Sequence, residues 1–190
     1  MSEVFISLAV GIALSACSGF RIFVPMLVAN LATRFELLHL SNNGFEWLSS
    51  PMATYILAAA TVAEIMAYYI PVVDNLLDTV TTPVSFIAGT ILTTSLLKID
   101  SPELQWTLGI VAGGGIAGTI QTGTGLLRLA STKFTGGLGN AFFATFENSV
   151  AVIFSLLTLW LPLFVAILGA LLFVFLLKKV LKRFQTTKYK

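Results

Sequence analysis

The amino-acid sequence predicts an all-α membrane protein, a polytopic bundle of about six transmembrane helices. Of its 190 residues, 56% are hydrophobic and only 11% are charged, whereas an average soluble domain carries about 25% charged residues. Apolar stretches of roughly the 20 residues that a bilayer crossing needs follow one another along the chain. They leave no room for a soluble catalytic domain. We therefore expect a protein that is not an enzyme, binds no cofactor and has no nucleic-acid partner.

Helix starts in this sequence are indicated by proline at the first helical position, usually after a capping serine or threonine. The apolar stretch 141–177 would form one helix of about 55 Å, far longer than a hydrocarbon core of about 30 Å. We therefore expect Pro162 to lie in a turn that divides this stretch. The predicted helices are 3–33, 51–70, 83–97, 102–132, 141–161 and 163–183.

The predicted third helix, 83–97, would be only about 22 Å long at 1.5 Å per residue. It is therefore expected to be a short or re-entrant element that follows the polar stretch 74–78. Between the first two helices, 35–47 mixes aromatic and polar residues. This mixture predicts a loop with a short helix at the membrane surface.

The orientation of the chain is predicted from its basic residues. Six of the last 13 residues are lysine or arginine and none is acidic, so the carboxyl terminus is expected in the cytoplasm. Six crossings would place the amino terminus there as well. We expect a multi-pass protein of a bacterial cytoplasmic (inner) membrane that contacts membrane lipids. Binding of anionic headgroups is an alternative role for the basic tail.

The single cysteine and the single histidine predict no metal site. Leu14-Ser15-Ala16-Cys17 fits the short pattern that precedes a lipidated cysteine, but no Lys or Arg precedes it. The basic region of a signal peptide is therefore missing, and Cys17 is expected to be a buried thiol. His39 falls in the predicted surface loop, so we expect no histidine-based metal site.

An internal repeat is suggested by two segments at an offset of 104 residues. Gly11-Ile12-Ala13 recurs as Gly115-Ile116-Ala117, and Gly19 matches Gly123. Small residues four apart allow close helix packing in lipid. Three helices per half would give halves of opposite orientation, as in inverted-repeat transporters. Chance is the alternative, because small residues are common in membrane helices. The predicted divisions are 1–100, 101–183 and a basic tail, 184–190.

Charged residues inside predicted helices form the candidate site, since each costs about 2.5–3.5 kcal/mol at a helix centre on insertion scales. Glu64 and Glu147 are candidate proton or cation sites. The alternative is that they are neutral or are paired with arginine for structure only. Arg21, beside the helix-disturbing Gly19 and Pro25, is a candidate anion contact, a counter-ion of Glu64 or a snorkelling residue.

Arg128 lies closer to a predicted helix end, and snorkelling is its preferred interpretation. Asp74 and Asp78 are four residues apart and share a helical face, where oxygen ligands suit a hard cation. Such a pair is more often a solvated interfacial turn, so no metal is assigned. The glycine-rich segment 113–125 lacks the Gly-Lys-Ser/Thr of a phosphate loop. We expect it to serve helix packing or local unwinding.

Three stretches of the chain resemble a known family. They are 19–25, then Glu64 with Pro71, Asp74 and Asp78, and lastly Arg128 followed by Glu147-Asn148. The chain resembles, over nearly its full length, small bacterial integral membrane proteins catalogued as a domain of unknown function. In that family an arginine often precedes the proline that is Pro83 here. This chain has Thr82, which argues against a three-arginine anion site. The resemblance implies a compact helical membrane protein and no activity.

The expected function is a small transporter or channel-like protein that moves a small solute, ion or proton through a site near the bilayer midplane. One alternative is a non-catalytic scaffold or subunit, joined through its small-residue faces to a second copy or to a membrane partner. Another is the handling of a phosphorylated lipid, with Arg21 and Arg128 on the headgroup.

Overall fold

The computed structural model describes residues 2–41, 43–136 and 138–187. Within these ranges every regular element is a helix, which confirms the all-α class. The helices are α1 (Ser2–Ser18), α2 (Phe23–Arg34), α3 (Pro51–Ala67), α4 (Pro71–Leu96), α5 (Pro102–Leu108), α6 (Gly115–Thr135), α7 (Leu138–Thr158) and α8 (Pro162–Thr187). A 3₁₀ helix, Asn43–Ser49, precedes α3, and a π-helical segment, Gly109–Gly114, joins α5 to α6 in one rod.

Several predicted helix starts are confirmed. The Ser50 hydroxyl accepts the Ala53 N–H at 3.1 Å, and the Ser101 hydroxyl accepts the Leu104 N–H at 3.3 Å. α8 begins at Pro162 after a short turn. α7 begins before Asn140, at Leu138. Asn42 of the predicted surface loop, Gly137 between the predicted helices 102–132 and 141–161, and 188–190 of the predicted basic tail lie outside the described residues.

The first two helices form a hairpin that starts and finishes at one end of the bundle. After α4, the Lys98 N–H donates to Ser7 Oγ of α1 at 3.1 Å. After α2, the Ser41 N–H donates to Ser95 O at 2.7 Å. The start of α1, the exit from α2 and the end of α4 therefore lie together at what we call the first end. The chain enters along α1, turns at 19–22 and returns along α2.

The remaining helices alternate in direction. The rod begins at the first end, where Gln105 Nε2 donates to Leu97 O at 2.9 Å. It runs antiparallel to α4, and near its far end Arg128 pairs with Asp78. α7 runs back to the first end. α8 then runs beside α1 and α6, because Val165 packs in a hydrophobic cluster with Ala13 of α1 and Leu176 packs in another with Ile120 of α6. The carboxyl ends of α6 and α8 define the second end.

Three helical segments are long and apolar enough to cross a membrane, which indicates a membrane protein. Among the described residues they are Leu76–Leu96, Gly139–Thr158 and Pro162–Lys179. α1 and α3 are apolar but have only 17 residues each. The prediction of about six transmembrane helices is therefore not confirmed.

The prediction of one helix over 3–33 is wrong, because α1 ends at Ser18 and α2 begins at Phe23. A Cβ added at Gly19 would lie 2.6 Å from Ile120 Cβ and 2.8 Å from Ala117 O. Glycine thus lets the turn approach α6 closely. Pro25, the third residue of α2, has no N–H to leave unpaired in the first helical turn.

The prediction of a short third helix over 83–97 is also wrong. α4 has 26 residues and contains Pro83 in its interior, while Pro71 stands at its start. Thr82 caps no helix here, because its hydroxyl donates to Asp78 O one turn earlier at 3.0 Å. The chain turns back within the bundle at the α1–α2 hairpin instead.

The two small-residue segments run in the same direction, so the expected inversion does not hold for them. Gly11 of α1 and Gly113 before α6 both abut Thr93 of α4, while Gly19 abuts Ile120 farther along α6. The hairpin explains this result. Because the chain returns to the first end after α2, only α3 and α4 make full passes before residue 100, and both halves then start from the same end. The division of the chain near residue 100 stays a prediction.

The contact between α4 and the rod gives a prediction about stability. A Cβ added at Gly89 would lie 2.6 Å from both Ala117 Cβ and Gly113 O. We expect Gly89→Val to lower the free energy of unfolding by about 1–3 kcal/mol, the usual cost of overpacking. Thermal denaturation in detergent measures the loss. The control is Gly115→Val, since Gly115 has nothing within 4 Å of an added Cβ. Equal losses in the two variants would contradict the packing explanation.

Candidate functional site

The turn between α1 and α2 places Arg21 inside the bundle. The residue is 0% exposed. Its guanidinium donates to the Glu147 carboxylate at 2.8 Å, to Asn148 Oδ1 at 2.5 Å, to Phe20 O at 2.7 Å and to Ala144 O at 3.3 Å. Arg21 is therefore a buried ion-pair partner of Glu147 and does not snorkel.

Glu64 of α3 caps the start of α2. Its two carboxylate oxygens accept the N–H groups of Ile22 at 2.8 Å and Phe23 at 3.0 Å. These N–H groups have no partner inside a helix, and a helix N-terminus carries a partial positive charge. The Glu64 carboxylate thus offsets the cost of interrupting the helix, and its oxygens are engaged by backbone instead of by Arg21.

Glu147 of α7 joins the two buried arginines. Its Oε2 accepts Arg21 Nη1 and Arg128 Nη1, each at 2.8 Å. Arg128 also pairs with Asp78, and its Nη1 lies 3.7 Å from Asp74 Oδ1. Arg128 is 0% exposed, so its interpretation as a snorkelling residue is wrong. Carboxylates from α4 and α7 hold it inside the bundle.

Asp74 and Asp78 lie one turn apart on α4, and both point into the protein. Asp74 is 0% exposed and its Oδ2 accepts Asn140 Nδ2 at 2.7 Å. The solvated interfacial turn is therefore the wrong interpretation of this pair. Asp74 Oδ1 and Asp78 Oδ2 are buried and have no hydrogen-bond partner among the described residues.

Tyr68, which sequence reasoning missed, contacts both arginines with its ring. Its ring centroid is 3.9 Å from Cζ of Arg21 and 4.4 Å from Cζ of Arg128, an arrangement of two cation–π contacts. Its hydroxyl lies 3.1 Å from Thr81 Oγ1 and donates to Asp78 Oδ1 at 3.5 Å. The only available signal was its spacing, four residues after Glu64, which places both on one helical face.

These residues form one buried group, which we call the ionic cluster: Arg21, Glu64, Tyr68, Asp74, Asp78, Arg128 and Glu147. Three of the four carboxylates pair with the two guanidiniums and that of Glu64 accepts backbone N–H groups, so the cluster carries a charge of −2 when all six ionisable groups other than the tyrosine are ionised. A buried ion without a partner costs several kcal/mol. The arrangement therefore favours a bound proton or cation and disfavours an anion.

The predicted small-residue positions lie apart from the ionic cluster. A Cβ added at Gly123 would meet Leu176 Cδ1 of α8 at 2.8 Å, which makes Gly123 a packing position. Gly115 and Thr119 line an open groove of about 460 Å³ with residues of α4 and α8. Cys17 is buried, as expected, and borders an apolar crevice of about 100 Å³ between α1, α7 and α8.

The chain belongs to the family described as Domain of unknown function (DUF4126), which matches residues 8–183. The match confirms the resemblance seen in the sequence and covers every member of the ionic cluster. No curated protein and no solved structure matches the chain. The family description names no activity, so the geometry of the site is the basis for a functional conclusion.

Proposed function

We propose that this member of the DUF4126 family is a membrane transporter that binds a proton or small cation at Asp74 and Asp78 and couples it to transport through the bundle. One observation carries the proposal: two carboxylate oxygens, Asp74 Oδ1 and Asp78 Oδ2, are buried without a hydrogen-bond partner among the described residues. They belong to a cluster with twice as many carboxylates as guanidiniums. Ionisable groups held inside a membrane protein most often belong to an ion pathway.

The donors of the two arginines support a cation in preference to an anion. Arg21 directs its guanidinium to Glu147, Asn148 and two backbone carbonyls, and Arg128 directs Nη1 and Nη2 to carboxylates. Arg128 Nε is the one guanidinium nitrogen of the two arginines without a hydrogen-bond partner among the described residues, so an anionic substrate would have to displace partners at the others. For this reason we do not propose that the protein handles a phosphorylated lipid.

The interrupted helix supports a transporter in preference to a scaffold. Broken helices whose ends face charged groups are typical of transporter sites, and here the start of α2 faces Glu64. The scaffold alternative depends on small residues that are free to dock a partner. Gly11 is not free, because a Cβ there would lie 2.9 Å from Thr93 Cα of the same chain, whereas Gly115 lines an open groove and is the position on which the scaffold alternative depends.

We also propose that the second end of the bundle faces the cytoplasm of a bacterial inner membrane. α8 ends there with a run of basic residues, which the positive-inside rule places in the cytoplasm. Asp74 and Asp78 would then lie nearer the cytoplasmic surface. The amino terminus would lie on the opposite side, which replaces the expectation of two cytoplasmic termini.

Asp78→Asn is expected to abolish ion-coupled flux. The amide keeps the shape of the side chain but cannot take up a proton as a carboxylate does, and it attracts a cation less strongly. Purified protein is reconstituted in liposomes, and the fluxes of protons and of Na⁺ are followed with ion-sensitive dyes. Wild-type protein should conduct one of these ions above the rate of empty liposomes, whereas Asp78→Asn should not.

The matched control is Asp100→Asn, the same substitution at an exposed position near the first end. It should leave the flux unchanged. Gel filtration and thermal denaturation establish that both variants are folded. Wild-type liposomes that conduct neither ion, or an Asp78→Asn variant as active as Asp100→Asn, would overturn the proposal.

A further inference from the structure

One face of α4 is polar and buried over most of its length. Polar side chains and one glycine recur there at intervals of three or four residues, the spacing of a single helical face. We call these residues the polar column: Asp74, Asp78, Thr81, Ser85, Gly89 and Thr93. Asp74, Ser85 and Thr93 are 0% exposed. The column rises about 28 Å along the helix at 1.5 Å per residue, close to the thickness of a hydrocarbon core, about 30 Å.

The lower part of the polar column is connected to the ionic cluster by hydrogen bonds. Asp78 Oδ1 accepts from the Tyr68 hydroxyl at 3.5 Å, and that hydroxyl lies 3.1 Å from Thr81 Oγ1. Gln121 of α6 donates its Nε2 to Thr81 Oγ1 at 2.8 Å. The acid pair is therefore linked to the second turn of the column through hydroxyl groups.

The upper part reaches the first end in the same way. Ser15 of α1 donates its hydroxyl to Gly89 O at 2.7 Å, and its Oγ lies 2.9 Å from Thr93 Oγ1. One residue later, Thr94 O accepts Gln105 Nε2 and Ser41 Oγ, each at 3.0 Å. Ser85 lies between the two parts, and its hydroxyl donates to Thr82 O at 2.9 Å. Among the described residues it bonds neither Thr81 nor Ser15, so the two parts are not joined by a continuous chain of hydrogen bonds.

The chemistry of these groups fits a proton better than a metal cation. A hydroxyl both donates and accepts hydrogen bonds, so a chain of hydroxyls can receive a proton at one side and release another at the opposite side. A hard metal ion needs about six or more oxygen ligands at once. Among the described residues, no group of three or more His, Cys, Asp or Glu side chains is arranged to hold a metal ion.

We infer that the ion bound at Asp74 and Asp78 is the proton, and that the polar column carries it between this pair and the first end of the bundle. The inference rests on the proposed function and names its ion and route. The charged groups that face the pair are Arg21, Arg128 and Glu147, with Glu64 beside them at the start of α2. They hold the pair in place, while the hydroxyls of α4 supply the route.

The experiment removes hydroxyls from the column and leaves the acid pair intact. The variants are Thr93→Val, which keeps the side-chain shape, and Ser85→Ala, whose hydroxyl bonds only its own helix. The control is Thr158→Val, a threonine of α7 that is 0% exposed and bonds Phe154 O. Proton flux into liposomes is driven by a K⁺ diffusion potential, and proton uptake by the same proteins in detergent is titrated separately.

Both column variants should conduct protons about tenfold more slowly than wild type, the effect of about 1.4 kcal/mol on a rate barrier and of one lost hydrogen bond. Their proton uptake should be unchanged, and Thr158→Val should match wild type in both measurements. A merely structural hydroxyl would change thermal stability and leave the flux of the folded protein unchanged.

Two results separate failure of this inference from failure of the proposed function. Column variants that conduct protons as fast as Thr158→Val, or wild-type liposomes that carry Na⁺ and no protons, would overturn the route and leave the transporter standing. Wild-type liposomes that carry neither ion would overturn both.

Discussion

Arg128→Met is expected to lower the free energy of unfolding by about 3–5 kcal/mol, the usual cost of removing one partner of a buried ion pair. Arg128 lies 2.8 Å from Glu147 Oε2, pairs with Asp78 and stands 3.7 Å from Asp74 Oδ1. Without it, three buried carboxylates lose their shared cation, and Arg21 alone remains to balance four acids. Few substitutions in this chain should cost more.

Thermal denaturation in detergent measures this loss, together with the yield of monodisperse protein. Arg34→Met is the control, because Arg34 is exposed and its guanidinium donates to one side chain, Thr54 Oγ1, at 2.9 Å. The double variant Arg128→Met with Asp78→Asn should recover part of the stability, since coupling between contacting residues amounts to about 0.5–3 kcal/mol. If Arg128→Met were as stable as Arg34→Met, or if the double variant recovered nothing, the charge balance described here would be wrong.

The ionic cluster also explains why the chain can turn back inside the bundle. A helix that stops in an apolar medium exposes its unpaired backbone groups, which is costly. Glu64 accepts two of the N–H groups that open α2, and Arg21 donates to Phe20 O beside the end of α1. The hairpin and the aspartates proposed to bind the ion therefore belong to one ionic cluster.

The candidate site could be predicted to a large extent from the sequence, because a charge inside an apolar segment is visible without coordinates. All six predicted ionisable residues lie in one cluster, although Arg128 and the aspartates are more deeply buried than expected. Tyr68 was not predicted, since an aromatic residue near a helix end is also typical of a membrane interface. Tyr68 differs from such an interfacial residue only in its ring contacts with Arg21 and Arg128, which lie in distant parts of the chain.

The boundaries of the helices were harder to predict, for reasons that differ between elements. Thr82-Pro83 has the local pattern of a helix start, but proline is tolerated inside membrane helices, and α4 continues through it. The break at Gly19 depends on contact with Ile120, about one hundred residues later. A local sequence pattern cannot reveal that contact. The direction of every later helix follows from the break at Gly19.

Tyr68→Leu should be the second most damaging substitution, with an expected loss of about 3–5 kcal/mol of unfolding free energy. The Tyr68 ring contacts the guanidiniums of both Arg21 and Arg128, and each desolvated cation–π contact is worth about 2 kcal/mol. Leucine is too small to fill the space and offers no π face. Thermal denaturation in detergent measures the effect, with Tyr55→Leu at a 76% exposed position as the matched control.

Tyr68→Phe separates the two roles of this residue, because phenylalanine keeps the ring and loses only the hydroxyl that contacts Thr81 and Asp78. Its cost in stability should be about 0.5–1.5 kcal/mol, that of one hydrogen bond. A loss in Tyr68→Phe as large as that in Tyr68→Leu would show that the hydroxyl, and not the contact of the ring with two cations, stabilises the cluster. The hydroxyl is also the first link from Asp78 to the polar column, so Tyr68→Phe should slow proton flux while most of the stability remains.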